Sequence, residues 1–427
     1  MSRPATGGAR LARRWEHRLY LSAHPAVYPL LTGLGKLAPA VRVPGVGALV
    51  SSPTLARQVL TDTERFVKNG PGSSGALWTP VLGPSVLLNM EGAEHRALRS
   101  KLAGLFTPAA AAALCARVLK PMGDDVTARL RDGQTVDLVR TTKIAASRVI
   151  AELIGFPIPD GPGADRACLE LFAAGEQIVA MVRLTTRELR PDQVARAKQV
   201  LTRLVEPAAR AYRAGDPGTA MGRMAELGLS EDEALGAAAA FFLTGTETVA
   251  TTVPRVIAML CDHGLAGSPA PGQGGARAAR EPACPVTGAA AEPDGAESSW
   301  LDLAIDEAMR VMAPTPATLR SVVAPARVGG VRLRAGDRVI IGTVTCTRAA
   351  GPFDPEAIRQ GRRPTADLRR LWFGAGPHYC IGAPLALAEI RTLTQAVLSA
   401  GPLSIQRRAA ARRVLIPAYR LLEVRAA

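Results

Sequence analysis

The sequence predicts a mainly α-helical protein with a minor β-sheet. Apolar residues recur at helical spacing along most of the chain, as at Leu98, Leu102 and Leu105. Stretches rich in valine and isoleucine, bounded by Gly-Gly and Ala-Gly-Asp turn signals, lie within residues 41–50 and 322–341. We therefore expect a helical body with a small sheet attached to it.

The length of 427 residues and the hydrophobic content of 48% allow one large core. The arginine-rich residues 1–20 are expected to form a flexible tail, and residues 21–427 a single domain. Within residues 264–299, seven glycines and five prolines leave no apolar period. We interpret that segment as a disordered insertion, because the motifs described below lie on both sides of it.

The charge pattern argues against nucleic-acid binding. The net charge is +15, but 46 of the 52 basic residues are arginine, which indicates a compositional bias. Aromatic residues make up only 4% of the chain, and no zinc-finger spacing is present.

Cysteine spacing and hydropathy bear on the cellular compartment. The six cysteines are dispersed without a CxxC pair, which fits a reducing cytoplasm better than a disulfide framework. An apolar run over residues 27–37 is interrupted by Pro29, Gly33 and Gly35, and is too short for a membrane span or a signal peptide. We expect a cytoplasmic protein that does not enter a membrane.

The stretch FGAGPHYCIG, residues 373–382, places Cys380 in a loop rather than in an apolar core. A helix that accepts Pro384 in its first turn follows, so the helix N-terminus should stabilise a thiolate. The loop glycines would let the backbone approach a large flat ligand. Cys380 is thus predicted to be a metal ligand, a nucleophile with His378 as its base, or a buried structural cysteine.

The spacing F-x-x-G-x-H-x-C-x-G resembles the haem-binding signature of the cytochrome P-450 family, of the soluble bacterial type. The resemblance implies the cytochrome P-450 fold, with haem b between a long distal helix and the proximal cysteine loop. It also implies that Cys380 ligates the iron, that Phe373 packs near the sulfur, that His378 donates to a haem propionate and that Gly382 belongs to the cofactor site.

Two further segments carry the same resemblance. Glu307 and Arg310 lie three residues apart on one helical face, a spacing that alone is typical of a surface salt bridge. The Pro-Thr-Pro-Ala-Thr-Leu-Arg that follows matches the family, which implies that the pair braces the core and that Arg320 reaches a propionate. The match departs at Ala357, where the family often has an arginine that completes the bracing network.

Upstream, His95 and Arg99 lie at i and i+4, so both side chains could grip one anionic group or lie on a solvated helix face. In the family, His-x-x-x-Arg at this position binds haem propionates. The resemblance therefore implies two more cofactor-binding residues.

Residues 237–252 are predicted to form the long distal helix. Phe241, Thr244, Gly245 and Thr248 share one helical side, and Glu247 lies about 100° away from Thr248. The hydroxyl of Thr248 is expected to interrupt the helical ladder, although threonines in such helices often bond only to their own backbone. By resemblance, Thr248 and Glu247 are the catalytic alcohol and acid. The resemblance also implies that Gly245 belongs to the cofactor site and leaves room over the iron. The substrate pocket is expected to include Phe241, Thr244, Ala317 and Thr318.

The function implied is a haem-thiolate monooxygenase that activates dioxygen to hydroxylate or epoxidise a largely apolar small molecule in bacterial secondary metabolism. The alternatives are oxidative coupling, desaturation or peroxide-driven oxidation, and a non-enzymatic haem sensor. Because no dinucleotide fingerprint is present, electrons should come from a ferredoxin or flavodoxin with a reductase. Four arginines near the cysteine loop could dock that donor to a monomeric enzyme: Arg362, Arg363, Arg369 and Arg370.

Overall fold

Helices make up most of the protein, whose computed structural model describes residues 7–267, 299–360, 368 and 370–427. The prediction of a mainly helical fold is confirmed. The helices are α1 Gly7–Ala23, α2 Val27–Leu37, α3 Pro53–Thr61, α4 Ser74–Leu82, α5 Gly92–Ala103, α6 Pro108–Val118, α7 Lys120–Arg131, α8 Leu138–Ile154, α9 Ala164–Val179, α10 Pro191–Ala214, α11 Ala220–Glu226, α12 Glu231–Asp262, α13 Trp300–Met312, α14 Thr343–Arg348, α15 Pro355–Arg359 and α16 Ala383–Leu398.

The strands form small sheets beside this helical body, as predicted. They are β1 Ala40–Val43, β2 Gly47–Val50, β3 Phe66–Val67, β4 Val136–Asp137, β5 Thr318–Val322, β6 Ala326–Val328, β7 Val331–Leu333, β8 Arg338–Ile341, β9 Leu403–Ala410 and β10 Tyr419–Ala426. The largest sheet has the order β1-β2-β8-β5-β3, in which only the β2–β8 pair is parallel. A second sheet has the order β4-β10-β9, and β6 pairs with β7.

Helix α12 crosses the core and packs most extensively on α8, with further contacts to α9, α10 and α16. It begins with a capping box, in which Ser230 and Glu233 satisfy each other's backbone N–H groups. Pro254 removes the backbone donor for the Ala250 carbonyl, but the Thr142 hydroxyl of α8 donates to that oxygen at 2.9 Å. A neighbouring side chain therefore compensates for a proline that would otherwise leave a buried carbonyl unpaired.

The expected flexible tail over residues 1–20 is wrong for residues 7–20, which belong to α1. Leu19 and Tyr20 are completely buried, and Glu16 accepts a hydrogen bond from Arg255 Nη2 of α12 at 2.6 Å. The physical reason is that a buried guanidinium requires a counter-ion, and α1 supplies it. Residues 1–6 lie outside the described part of the chain.

Several predicted features lie outside the described residues. They are residues 268–298 of the expected insertion, together with Arg362, Arg363 and Arg369 of the expected docking cluster. In the part of the chain that the structure describes, no single helix is long and apolar enough to cross a bilayer, and one bent pair, Gly92–Phe106 with Pro108–Val118, could do so by length and composition alone.

Candidate active site

A cavity of about 510 Å³ lies between α12 and the loop that precedes α16. Cys380 lines one side, and Gly245 and Thr248 of α12 line the other. The remaining walls are mostly apolar and come from α4, α8 and the segment 314–319. The cavity thus joins the predicted proximal and distal segments in one space.

Backbone geometry aims Cys380 into this cavity. Gly374 and Gly376 have φ values of 87° and 66°, which favour glycine. A Cβ on Gly376 would lie 2.9 Å from the Leu60 carbonyl oxygen, so the loop can pack on α3 only with glycine there. Gly382 has an ordinary φ of −81°, and a Cβ added to it would lie 4.0 Å from the Cys380 sulfur.

The electrostatics of Cys380 combine opposing effects. Burial raises the pKa of the Cys380 thiol, while the backbone N–H groups of Gly382 and Ala383 and the positive charges of Lys68 and Arg99 lower it. The predicted stabilisation by the helix N-terminus is therefore present but is outweighed by burial. Protein atoms surround Cys380 on most sides, and the part of the residue that stays accessible lines the cavity.

His378 pairs with a residue other than Cys380. Its Nε2 lies 2.6 Å from the Glu91 carboxylate, and its buried Nδ1 has no partner among the described residues. The interpretation of Cys380 as a nucleophile with His378 as its base therefore lacks the hydrogen bond that it needs.

Basic side chains collect on the same side of the cavity. Burial lowers the pKa of Arg320 to about 10, and burial together with Arg320 lowers the pKa of Lys68 to about 8. Burial, followed by His378 and Arg99, lowers the pKa of His95 to about 4, so His95 is neutral at pH 7. The His95 and His378 rings lie 4.2 Å apart. These side chains form a cradle for an anionic group.

The sequence did not single out Lys68, which belongs to this cradle, or Glu91, which contacts it. One Glu91 oxygen accepts from the Lys68 backbone N–H and the other from His378. Burial acts to raise the pKa of Glu91, but the hydrogen bond from His378 prevails and lowers it. The only signal in the sequence is that Glu91 lies one helical turn before His95.

The distal face of α12 carries the predicted side chains. Phe241, Thr244, Gly245 and Thr248 all line the cavity. The predicted interruption of the helix at Thr248 is wrong, because α12 is continuous from Glu231 to Asp262. The Thr248 hydroxyl donates to the Thr244 carbonyl at 3.1 Å, so it adds a bond without displacing the backbone donor.

Glu247 also lines the cavity, although the helical wheel separates it from Thr248. Its Oε2 is buried and has no hydrogen-bond partner among the described residues. Burial, followed by the charge of Glu176, raises the pKa of Glu247 to about 7. Lys143 opposes that effect and lies 2.8 Å from Glu176. A carboxyl with this pKa can exchange a proton near neutral pH.

Glu307 and Arg310 form a buried brace rather than a surface salt bridge. Arg310 Nε and Nη2 donate to the two Glu307 oxygens at 2.6 and 2.7 Å. The guanidinium also donates to the carbonyls of Thr347, Gly351 and Pro352. Backbone carbonyls thus contribute bracing contacts in a region where Ala357 departs from the family pattern.

The other predicted pocket residues, Ala317 and Thr318, line the cavity next to the apolar Leu319. Glu389 of α16 also lines it, and burial raises the pKa of this carboxyl to about 8. The sequence had not indicated this buried acid, because Glu389 stands among the apolar residues of an ordinary helix pattern.

These observations fit a haem. A thiol faces the cavity on one side, and an alcohol and an acid lie on the other. Near the thiol, the positive charges of Lys68, Arg99 and Arg320 outnumber the single carboxylate of Glu91. Among the described residues, no carboxylate lies within ion-pair distance of Lys68 Nζ, and His378 Nδ1 is unpaired. Such a donor set suits the propionates of an iron porphyrin whose metal takes the thiolate.

Comparisons with known proteins point the same way. The model of the family "Cytochrome P450" matches residues 291–410. The chain is 29% identical to cytochrome P-450 monooxygenase DoxA of Streptomyces sp. (strain C5), over 84% of this chain and 82% of DoxA. It is 28% identical to cytochrome P450 monooxygenase PikC of Streptomyces venezuelae, over 81% of this chain and 76% of PikC.

Solved structures share the fold. An EryK mutant in complex with erythromycin B matches with a TM-score of 0.69 and 22% identity, over 95% of this chain and 97% of the other. P450BioI in complex with a ligated acyl carrier protein matches with a TM-score of 0.72 and 17% identity, over 99% of this chain and 100% of the other.

Proposed function

The chain belongs to the cytochrome P450 family, and we propose that it hydroxylates or epoxidises a largely apolar small molecule in the cavity between α12 and the Cys380 loop. The observation that carries this proposal is the placement of Cys380 across one apolar cavity from Thr248 and Glu247. The cavity walls supply few polar side chains near Thr248, which favours an apolar substrate.

Haem b, when bound, supplies the activation of dioxygen. We assign Cys380 as the iron ligand and Phe373 as its packing neighbour, since the Cys380 N–H donates to the Phe373 carbonyl at 2.9 Å. Gly382 keeps the space beside the sulfur free of a side chain. The propionates would be held by Lys68, His95, Arg99, Arg320 and His378, all of which line the cavity.

The distal residues would control protons. Glu247 holds an exchangeable proton near neutral pH, because burial and Glu176 raise its pKa. The Thr248 hydroxyl donates to Thr244, so its lone pairs are available to a water in the cavity. Gly245 leaves the space between these residues open, where a Cβ would meet only Ile150 at 3.6 Å. The pair thus delivers protons while the apolar walls limit the access of bulk water.

The names of two further relatives support a hydroxylation in secondary metabolism. One is the erythromycin C-12 hydroxylase of Saccharopolyspora erythraea, and another is the C-19 steroid 1alpha-hydroxylase of Sorangium cellulosum. We propose that this chain likewise hydroxylates a small molecule of secondary metabolism, as one cytoplasmic, monomeric domain. A ferredoxin or flavodoxin with its reductase would supply the electrons.

The carbon-monoxide difference spectrum of the reduced protein tests the proposal. We expect the red-shifted band of a thiolate ligand, lost in Cys380→Ser and kept in Cys261→Ser, a control at a cysteine away from the loop. An unshifted, imidazole-type band in the parent protein would reject the assignment.

A further inference from the structure

Arg338, at the start of β8, is a buried arginine without a counter-ion. Arg338 is only 8% exposed, and its Nε and Nη2 are buried without hydrogen-bond partners among the described residues. Burying a charged group costs free energy unless it is paired and hydrogen-bonded. Among the described residues, such an arginine is a candidate for binding an anion.

The unpaired edge of Arg338 is the edge that this protein uses to hold carboxylates. Arg310 binds Glu307 through Nε and Nη2, at 2.6 and 2.7 Å. Arg255 binds Glu16 through the same two atoms, at 3.3 and 2.6 Å. Two parallel N–H groups match the two oxygens of a carboxylate or phosphate.

The adjacent acid is not available to Arg338. Asp337 accepts hydrogen bonds from Arg42 Nη1 and Nη2 at 2.7 and 2.8 Å, and from the Arg334 backbone N–H at 2.8 Å. Across the described residues, no carboxylate lies within ion-pair distance of Arg338.

A second positive charge lies nearby. Arg187, in the segment between α9 and α10, is exposed and donates to the Gly45 carbonyl. Gly47, two residues after Gly45, packs so closely on Arg338 that a Cβ there would clash with the Arg338 carbonyl oxygen, which places Arg187 beside the start of β8. In agreement, burial lowers the pKa of Arg338, and the charge of Arg187 lowers it further. Two like charges held in this way favour an anion that both can contact.

The surroundings of Arg338 include a further unpaired hydrogen-bonding group. Ser321 of β5 is the cross-strand partner of Arg338, and its buried Oγ also lacks a hydrogen-bond partner within the described ranges. Gly72 has no side chain, and a Cβ there would lie 3.5 Å from Arg338 Cδ. Cross-strand partners lie on one face of a sheet, so the Ser321 hydroxyl and the guanidinium lie on the same face.

Chain neighbours of this site line the active-site cavity. Leu319 lies two residues before Ser321, hence on the same face of β5, and lines the cavity. Arg183, four residues before Arg187, lines it as well. A ligand anchored at Arg338 could therefore extend past Leu319 toward α12.

We propose that Arg338 and Arg187, with Ser321, bind the carboxylate or phosphate group of an otherwise apolar substrate whose other end occupies the cavity. This inference rests on the proposed function, which it deepens by defining the substrate as an amphiphile with one anionic end. Arg338 and Arg187 are then specificity-determining residues and do not take part in the chemistry.

Calorimetric titration of the haem-loaded protein tests the site with two probes, dodecanoate and 1-dodecanol, which share a chain and differ in the head group. We expect the parent to bind dodecanoate about tenfold more tightly than the alcohol, the effect of a charge-assisted hydrogen bond. Arg338→Met should remove the preference, and Arg187→Met should reduce it by about threefold. Arg327→Met, at an exposed arginine of β6, should leave it unchanged.

The exposed position of Arg187 keeps the test decisive if Arg338→Met fails to fold. A parent without a preference for dodecanoate, or a preference that survives in both variants, overturns the proposal.

Inorganic phosphate distinguishes the sources of the anion. If phosphate raises the Tm of the parent but not of Arg338→Met, a free anion is sufficient. If phosphate has no effect while dodecanoate is preferred, the anion must be carried on an apolar chain.

Because calorimetry does not depend on the haem spectrum, a normal thiolate band without a dodecanoate preference rejects only this site. A missing band with the preference intact rejects only the proposed function.

Discussion

Two buried glutamates, Glu307 on α13 and Glu247 on α12, have opposite surroundings. Glu307 is 0% exposed, accepts two hydrogen bonds from Arg310 and accepts a third from the Asp354 N–H at 2.9 Å. Glu247 has an unpaired buried oxygen, and burial, followed by Glu176, raises its pKa to about 7. Burial alone therefore does not define the role of a carboxylate in this protein. A paired carboxylate stabilises the fold, and an unpaired one remains available for proton transfer.

Breaking the paired side of this comparison should have the largest effect. Arg310→Met leaves Glu307 buried without its main partner, which should cost about 3–5 kcal/mol in the free energy of unfolding. Urea denaturation followed by circular dichroism measures the change. The matched control is Arg166→Met, at an exposed intrahelical pair with Glu170, where solvent screens the charges and little change is expected. Equal losses in the two variants would contradict the structural role of the buried pair.

Glu247→Gln tests the unpaired side, and turnover should fall on the order of 100-fold because the exchangeable proton is lost. Steady-state product formation measures this, and Glu226→Gln, at an exposed residue of α11, should be unaffected.

The same variant should change how stability depends on pH. The pKa of Glu247 is raised in the folded state to about 7 from 4.5. The protonated carboxyl therefore contributes to the free energy of unfolding in full below about pH 4.5, and this contribution is lost as the pH rises through 7. Glu247→Gln has no carboxyl to ionise at this position. The free energy of unfolding of the variant should therefore rise relative to that of the parent between pH 5 and pH 8. A stability difference that stays constant over that range would mean that Glu247 does not titrate there.

Thr248→Ala separates the alcohol from the acid beside it. Haem content should be retained, and product formed per electron pair should fall about tenfold, since one hydrogen bond to a water near the acid is lost. Measuring peroxide alongside product detects the diverted electrons. Thr248→Ser keeps the hydroxyl and should restore most of the coupling; if both variants are equally uncoupled, the methyl group rather than the hydroxyl matters.

Lys68→Met should have the smallest effect, because four other side chains would also hold the propionates, namely His95, Arg99, Arg320 and His378. We expect about threefold weaker haem binding, measured by transfer of haem to an excess of apomyoglobin. Lys36→Met, at a lysine of α2 far along the chain from the cradle, is the control. An unchanged transfer rate in Lys68→Met would remove this residue from the cofactor site.

Local patterns predicted the parts of the site that lie close together in the chain. Glu307 and Arg310 are three residues apart on one helix, so their pairing needs only helical geometry. The Cys380 loop is similar, because its glycines and the following helix determine the backbone around the sulfur. The fold class, the family and the haem-thiolate activity followed from such segments.

Contacts between distant segments could not be predicted in the same way. Glu91 and His378 are separated by 287 positions, and Glu16 and Arg255 by 239, so neither pairing has a periodic signal. For that reason α1 was expected to be a flexible tail, and Glu91 and Lys68 were overlooked. Thr248 is a different case, because its hydroxyl was expected to interrupt the helix but donates to the Thr244 carbonyl while α12 stays continuous.

The sequence by itself determined the iron-ligand candidate, the helical distal wall and the order of the motifs, because each depends on residues within a few turns of one another. Only the tertiary structure decided which buried charges are paired. Ion pairs form between whatever side chains the packing of distant helices and strands brings within about 4 Å. That difference left Glu307 satisfied, Glu247 free to hold a proton and, among the described residues, Arg338 buried without a counter-ion.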